Sequence, residues 1–348
     1  MSNNEYIRRS FDKNINFLKN KVAVKECFHE DINCSEKIIK AHSIQNNKIL
    51  DVISDNGHVL MFSHDINEEA KLTSKMKLKG RKIATTFSGF CGHHDTSLFN
   101  PIENSDYSLG NKEQEFLFAY RAMAKEYHAK KSVGELYRYI LKLIREKKFE
   151  EINQHFRGKN TPSVEQIIFM RESIYQSIKG NEDAEKRADK FREWYNEWLL
   201  LRKFENITTY TIKFEGEFHI AVSSMTNLER DLDYNLINNL NDWETMLAPI
   251  FMTVFPQNGS TYVLLSNFTR NNRRFKKLIS QIENSSIEEQ KVIISDIIIS
   301  YMENFAYSPA LWENMNDKIK KEIESKFFDT MFEINKAISK KSNINLFV

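Results

Sequence analysis

The chain has 348 residues, 41% hydrophobic and 28% charged, which is enough apolar mass for a buried core and excludes a disordered tail. A formal net charge of +2 gives no global pull toward nucleic acid, so any basic surface must be local. Residues 1–18 lack the apolar stretch of a secretion signal, and the longest greasy run, residues 292–302, is too short to span a bilayer and carries Asp296, so a cytoplasmic protein without membrane association is expected.

Residues 1–26 read as a helical lead-in. Residues 27–105 differ from the rest: they hold all three cysteines and six of the nine histidines, at positions 29, 42, 58, 64, 93 and 94. Short strands are expected at 57–62 and 81–87, with a polar, lysine-rich insert between them. From 111 to about 204 the pattern turns helical. Phe116, Tyr120, Met123 and Tyr127 recur at three- and four-residue steps and share a face. A second helix is expected over 132–156. A third starts near Thr161 as N-cap with Pro162 at the first position, and breaks near Gly180. The β-branched, alternating run 207–224 with Gly216 at its bend reads as a hairpin. Strands at 247–255 and 261–268 flank Asn258-Gly259, a tight-reversal signal. Helices are expected at about 270–283, 287–303 and 309–340. Scarce Gly (10) and Pro (5) favour helices with short connections over a many-stranded sandwich.

Three cysteines cannot all pair, and a reducing compartment favours free thiols or metal ligands. Cys27 and Cys34 form one spaced pair. Cys91 and His94 form a second, with the two-residue spacing of a zinc knuckle. Together they make a Cys₃His set suited to structural Zn²⁺. The same residues also read as ordinary buried cysteines beside a surface histidine pair. His29 is a substitute ligand, and His58 and His93 are secondary candidates.

The order of Cys27 and Cys34, then "KAHSIQ" with His42, then "FCGHHDTSL" with Cys91, His94 and Asp95, resembles the zinc-containing HNH endonucleases, the ββα-metal group. The resemblance covers about 75 residues of 348. It implies a treble-clef, HNH-like zinc module in which His42 activates water and Asp95 helps hold Mg²⁺ or Mn²⁺ against the scissile phosphate. Ala41 stands where the family commonly carries a metal ligand, and Thr86 lies near the place of its mid-motif asparagine. The same motif also resembles a set of bacterial proteins of the phage-defence kind. Read without the resemblance, His42 is a histidine bonded to backbone and Asp95 is a helix N-cap.

Arg270, Arg273, Arg274 and Lys277 follow steps of three, four and seven, so they share a helical face able to meet a nucleic-acid backbone or simply be solvated. The acids of 227–244 (Glu229, Asp231, Asp233, Asp242, Glu244) read as an exposed loop with a short helix. The expected architecture is α+β: an N-terminal zinc-binding module over 1–110, a helical middle over 111–205, and a C-terminal small antiparallel sheet with helices over 206–348. Two functions fit: an HNH-like nuclease in bacterial defence, or a non-catalytic zinc-binding protein that recognises nucleic acid or a partner protein.

Overall fold

The structure, a computed structural model, describes residues 3–29, 31–35, 37–67, 72–156, 163–242, 245–331 and 333–348. Helix α1 spans Asn3–Val22. Strand β1 (Ile38–His42) leads into a π-helical turn, Asn46–Leu50, and the single turn α2 (Asp51–Ile53). Strands β2 (His58–Ile66), β3 (Leu72–Gly80) and β4 (Thr86–Cys91) follow, then helix α3 (Gly92–Glu103). The expected strand over 81–87 is mostly a turn. Its residues close the loop back onto β1, and β4 begins only at Thr86.

The helical middle consists of α4 (Lys112–Arg145), α5 (Phe149–Phe156) and α6 (Val164–Leu200). The second helix expected over 132–156 is therefore the end of α4 plus α5. Gly134 does not break α4: a Cβ there would strike the side chains of Glu185 and Asn181 on α6, so glycine permits the close helix approach. Gly180 likewise lies inside a continuous α6. Thr161 and Pro162 lie outside the described residues. The N-cap of α6 is Ser163, which forms a capping box with Gln166.

The rest comprises β5 (Ile207–Glu215), β6 (Ile220–Thr226), β7 (Ile250–Gln257), β8 (Ser260–Phe268), α7 (Asn272–Glu283), α8 (Ile287–Tyr301), β9 (Phe305–Tyr307), α9 (Pro309–Asn314) and α10 (Asp317–Thr330). Among the described residues, seven strands form one sheet in the order β3-β2-β9-β6-β7-β8-β5. The β7–β8 hairpin turns at Asn258 (φ 52°) and Gly259 (φ 75°), as the dipeptide predicts. The hairpin expected from 207–224 does not form: β5 pairs with β8, while β6 pairs with β7 and β9. Every residue of β6 from Ile220 to Met225 is buried, so this strand needs covered neighbours on both faces and both edges. β5 keeps exposed residues and takes the edge.

The sheet carries a core on each face. Phe251, Phe255 and Leu264 belong to one cluster with Phe28, Phe90, Phe99, Phe116, Tyr120 and Tyr195. Ile250, Met252, Val254 and Leu265 alternate into the other, against α7, α8 and α10. Helix α4 contacts α3, β4, α6, β6 and β7. It is buried on all sides from Gln114 to Ala124, beyond the single stripe its spacing predicts. The β2–β3 hairpin, encoded between β1 and β4, joins the C-terminal sheet through the Leu60–Tyr307 bridge. The sequence boundaries at 110 and 205 thus separate elements that share one core.

Candidate functional site

Strands β1 and β4 pair antiparallel, with Ile38 opposite Cys91 and His42 opposite Thr86. This register separates two clusters by the length of the hairpin, roughly 13 Å at the usual strand rise. Cys34 lies just before β1, and Cys91 ends β4 and caps α3, so both reach the same end. Cys27 is brought there by its neighbour: the Phe28 amide donates to the Gly89 carbonyl at 2.8 Å, docking residue 28 alongside β4.

Cys27, Cys34, Cys91 and His94 lie together, with one ligand atom of each within 4.8 Å of the others. His94 Nδ1 is 3.2 Å from Cys27 Sγ and 3.4 Å from Cys91 Sγ. A zinc tetrahedron with sulfur at ~2.3 Å and nitrogen at ~2.0 Å has edges of roughly 3.5–3.8 Å, so the set fits such an ion. Backbone amides already favour thiolates: Cys91 N–H donates to Cys27 Sγ and His94 N–H to Cys91 Sγ, each at 3.4 Å. Burial pushes the Cys27 thiol up to about 12 against amide bonds from Cys91 and His29. Burial also raises Cys91, but hydrogen bonds from the Ser35 side chain and the His94 amide outweigh it and bring that thiol down to about 7. Burial raises Cys34 as well. Three crowded sulfurs cannot all ionise alone, and a coordinated cation reverses that penalty. The residues can hold a metal, and Cys27, Cys91 and His94 are each less than a tenth exposed. His29, the expected substitute, is turned to other partners: its Nδ1 lies 3.1 Å from Asn196 Oδ1 and 3.2 Å from the Tyr120 hydroxyl.

At the other end, His42 is half-buried and its Nε2 lies 3.2 Å from the Arg81 carbonyl. A carbonyl only accepts, so Nε2 carries a proton, and in the neutral ring the lone pair is then at Nδ1. Asp95 sits one turn into α3. The cap of that helix is Cys91, whose side chain accepts from the His94 amide, so Asp95 is not the N-cap. Burial raises the Asp95 carboxyl above its ordinary value; Arg121 opposes this, Glu103 adds to it and His42 opposes it. Arg121, from α4, is 3% exposed, pairs with Glu103 at 2.6 Å and stacks on Phe99 at 4.0 Å. Its Nε has no hydrogen-bond partner. Beside this end, Thr85 adopts φ 58°, a conformation β-branched residues avoid, and its buried hydroxyl is also unpartnered.

Most of the remaining candidates have structural partners. Arg270 precedes α7 and stacks on Trp194 at 3.7 Å, Arg274 donates to Asn238 Oδ1 and the Met246 carbonyl, and Lys277 pairs with Asp233 at 3.2 Å. Arg273 is exposed. Among the acids of 227–244, Glu229 and Asp231 are buried rather than exposed. Glu229 accepts from the Asn335 amide at 2.6 Å, and Asp231 from the amides of Asp233 and Asn235 at 2.9 Å. Glu244 lies outside the described residues. His58 is exposed and bonds the Asn56 carbonyl at 2.9 Å, and His93 is exposed.

Comparison of the chain with protein-family models, with curated proteins and with solved structures found no match in any of the three. Among the described residues, no helix is long and apolar enough to cross a membrane. Two residues that sequence spacing does not single out join the site: Arg121 beside Asp95, and Asp31, 3.0 Å from His94 Nε2. Nothing in their local pattern sets them apart from surface charges.

Proposed function

We propose that the chain is a metal-dependent phosphodiesterase of HNH-like type acting on nucleic acid, with a structural zinc held by Cys27, Cys34, Cys91 and His94. The observation that carries this reading is the order strand, strand, helix in β1, β4 and α3, with His42 ending the first strand and Asp95 in the first turn of the helix. The borderline-soft sulfur and imidazole donors favour zinc at the enclosed end.

At the open end, the Arg81 carbonyl holds the His42 ring by its Nε2–H, which leaves Nδ1 to accept a proton from an attacking water. Asp95 would hold Mg²⁺ or Mn²⁺, which when bound stabilises charge developing on the phosphoryl and leaving oxygens. Arg121, buried and paired with Glu103 on the same helix as Asp95, opposes the burial that raises that carboxyl. The strained Thr85 backbone supports the reading, since such strain persists where surrounding structure imposes it and clusters at functional sites.

Ala41 favours the alternative, a non-catalytic zinc-binding protein that recognises nucleic acid or a partner protein. Its buried methyl group offers no second ligand beside His42. One assay separates the two: cleavage of single- and double-stranded DNA and RNA with Mg²⁺ or Mn²⁺, wild type against His42→Ala. The nuclease reading expects a loss of about 10²-fold or more in the variant. Equal cleavage by both proteins, or none by either, leaves the non-catalytic protein.

A further inference from the structure

The ligand histidine of the Cys₃His cluster has a second polar contact that the four ligands do not account for. His94 turns Nδ1 toward the sulfurs of Cys27 and Cys91. A nitrogen that binds a cation must offer its lone pair, so the ring proton must sit on Nε2. That nitrogen lies 3.0 Å from Asp31 Oδ1. The carboxylate is itself oriented, because Oδ1 also accepts from the Asn33 amide at 2.7 Å. The turn closes with the Cys34 amide donating to the Asp31 carbonyl at 3.3 Å. One four-residue turn therefore carries both the carboxylate that meets His94 and the thiol of Cys34.

His29 forms the wall behind this contact. Its ring meets His94 edge-on, with centroids 4.6 Å apart, and its Nε2 is 3.6 Å from Asp31 Oδ2. Its Nδ1–H donates to Asn196 Oδ1, which also accepts from the Tyr120 hydroxyl at 2.6 Å. His29, Asp31 and His94 together could be taken for a second cation site. However, His29 is fixed by α4 and α6 through Tyr120 and Asn196, and His94 has its own ring nitrogen committed to the sulfurs.

We propose that Asp31 is the outer carboxylate of the metal centre, a positioning residue that accepts the Nε2–H of His94, fixes Nδ1 as the ligating atom and makes the imidazole a stronger donor. This rests on the Cys₃His metal centre proposed above. It does not depend on any nuclease activity.

The test is zinc affinity by competition with a chromogenic chelator, together with nitrogen chemical shifts of the His94 ring, in the full chain. Asp31→Ala should bind one equivalent of zinc about 10- to 100-fold more weakly than wild type and lose the single Nε2–H tautomer of the metal-free protein. Asp31→Asn can still accept from Nε2–H and from the Asn33 amide, so it should keep the tautomer and fall between the two in affinity. Asp31 is exposed and lies in a turn, so both variants should fold, which circular dichroism checks. Unchanged affinity and tautomer in Asp31→Ala would overturn the role of Asp31 while leaving the centre standing. Failure of the wild type to bind zinc would remove the centre and this role with it. A second equivalent of zinc that disappears in His29→Ala would also overturn it, by making Asp31 a direct ligand.

Discussion

The two ends of the β1–β4 hairpin differ both in residue type and in how they are enclosed. At the Cys91 end, three of the four candidate ligands are buried, backbone amides point at the sulfurs, and the neighbouring groups include Phe28, Phe90, His29 and Asp31. At the other end, His42 is half-buried and its Nε2 meets the Arg81 carbonyl, and Asp95, one residue past the ligand His94, is half-buried as well. An enclosed set of soft donors suits a metal that holds structure, because no position is left open to substrate. A half-open base and carboxylate suit chemistry, because water and substrate must reach them. The contrast teaches that one pair of antiparallel strands presents an enclosed set of soft donors at one end and a half-buried histidine at the other.

The largest expected effect comes from the enclosed end. Removing the metal by chelation, or replacing Cys91 with Ala, should withdraw folding free energy on the order of 10 kcal/mol, the scale of structural zinc in small domains. Hydrogen exchange should rise first around Cys27, Cys34 and Cys91, with β7 and β8 still protected. A uniform rise across the chain would break the distinction between the two ends and make the metal a keystone of the whole fold.

Phe90 links the ends. It lies in β4 and packs edge-on against Phe28, Phe87 and Phe99. Phe90→Ala should destabilise by about 3–5 kcal/mol in denaturant unfolding and weaken metal retention and cleavage together. Loss of one property with the other intact would show that the ends are independent.

His42→Ala should sharpen the comparison from the other side. It should lower cleavage by about 10²-fold, equivalent to about 2.7 kcal/mol of barrier, while zinc content and unfolding midpoint stay at wild-type levels. Loss of zinc in this variant would contradict the division of roles.

The smallest effect is expected away from the hairpin. Arg273, on α7, is exposed. Arg273→Ala should alter stability by less than about 0.5 kcal/mol. If α7 grips a nucleic-acid backbone, the slope of log affinity against log salt should shrink by about 1. An unchanged slope would assign the row to solvent and to its contacts with Trp194, Asn238 and Asp233.

Much of the site was legible in the chain because soft ligands are rare and chemically specific. Cys27, Cys34, Cys91 and His94 could be grouped from residue type and spacing, even across the 56 residues between Cys34 and Cys91. The Asn258-Gly259 reversal was legible for the same local reason: the conformation is a property of those residues. Asp31 and Arg121 were not legible, since a carboxylate or a guanidinium looks the same in sequence whether it meets solvent or a buried histidine.

Composition and local pattern by themselves determined the α+β class, the helical middle, the β7–β8 hairpin and the candidate ligand set. Strand partnership was decided only by the tertiary structure. β5 and β6 are neighbours in sequence yet lie apart in the sheet, because a strand buried on both faces must sit in the interior and one with exposed residues must take an edge. The β2–β3 hairpin left its flanking strands for the far sheet for a related reason: Val59 and Met61 on one face, and Leu60 and Phe62 on the other, find cover there. That departure lets β1 and β4 close on each other and sets His42 at one end of the hairpin and the cysteines at the other. Burial is a property of the assembled chain, so long-range pairing of this kind follows from packing and not from any local run of residues.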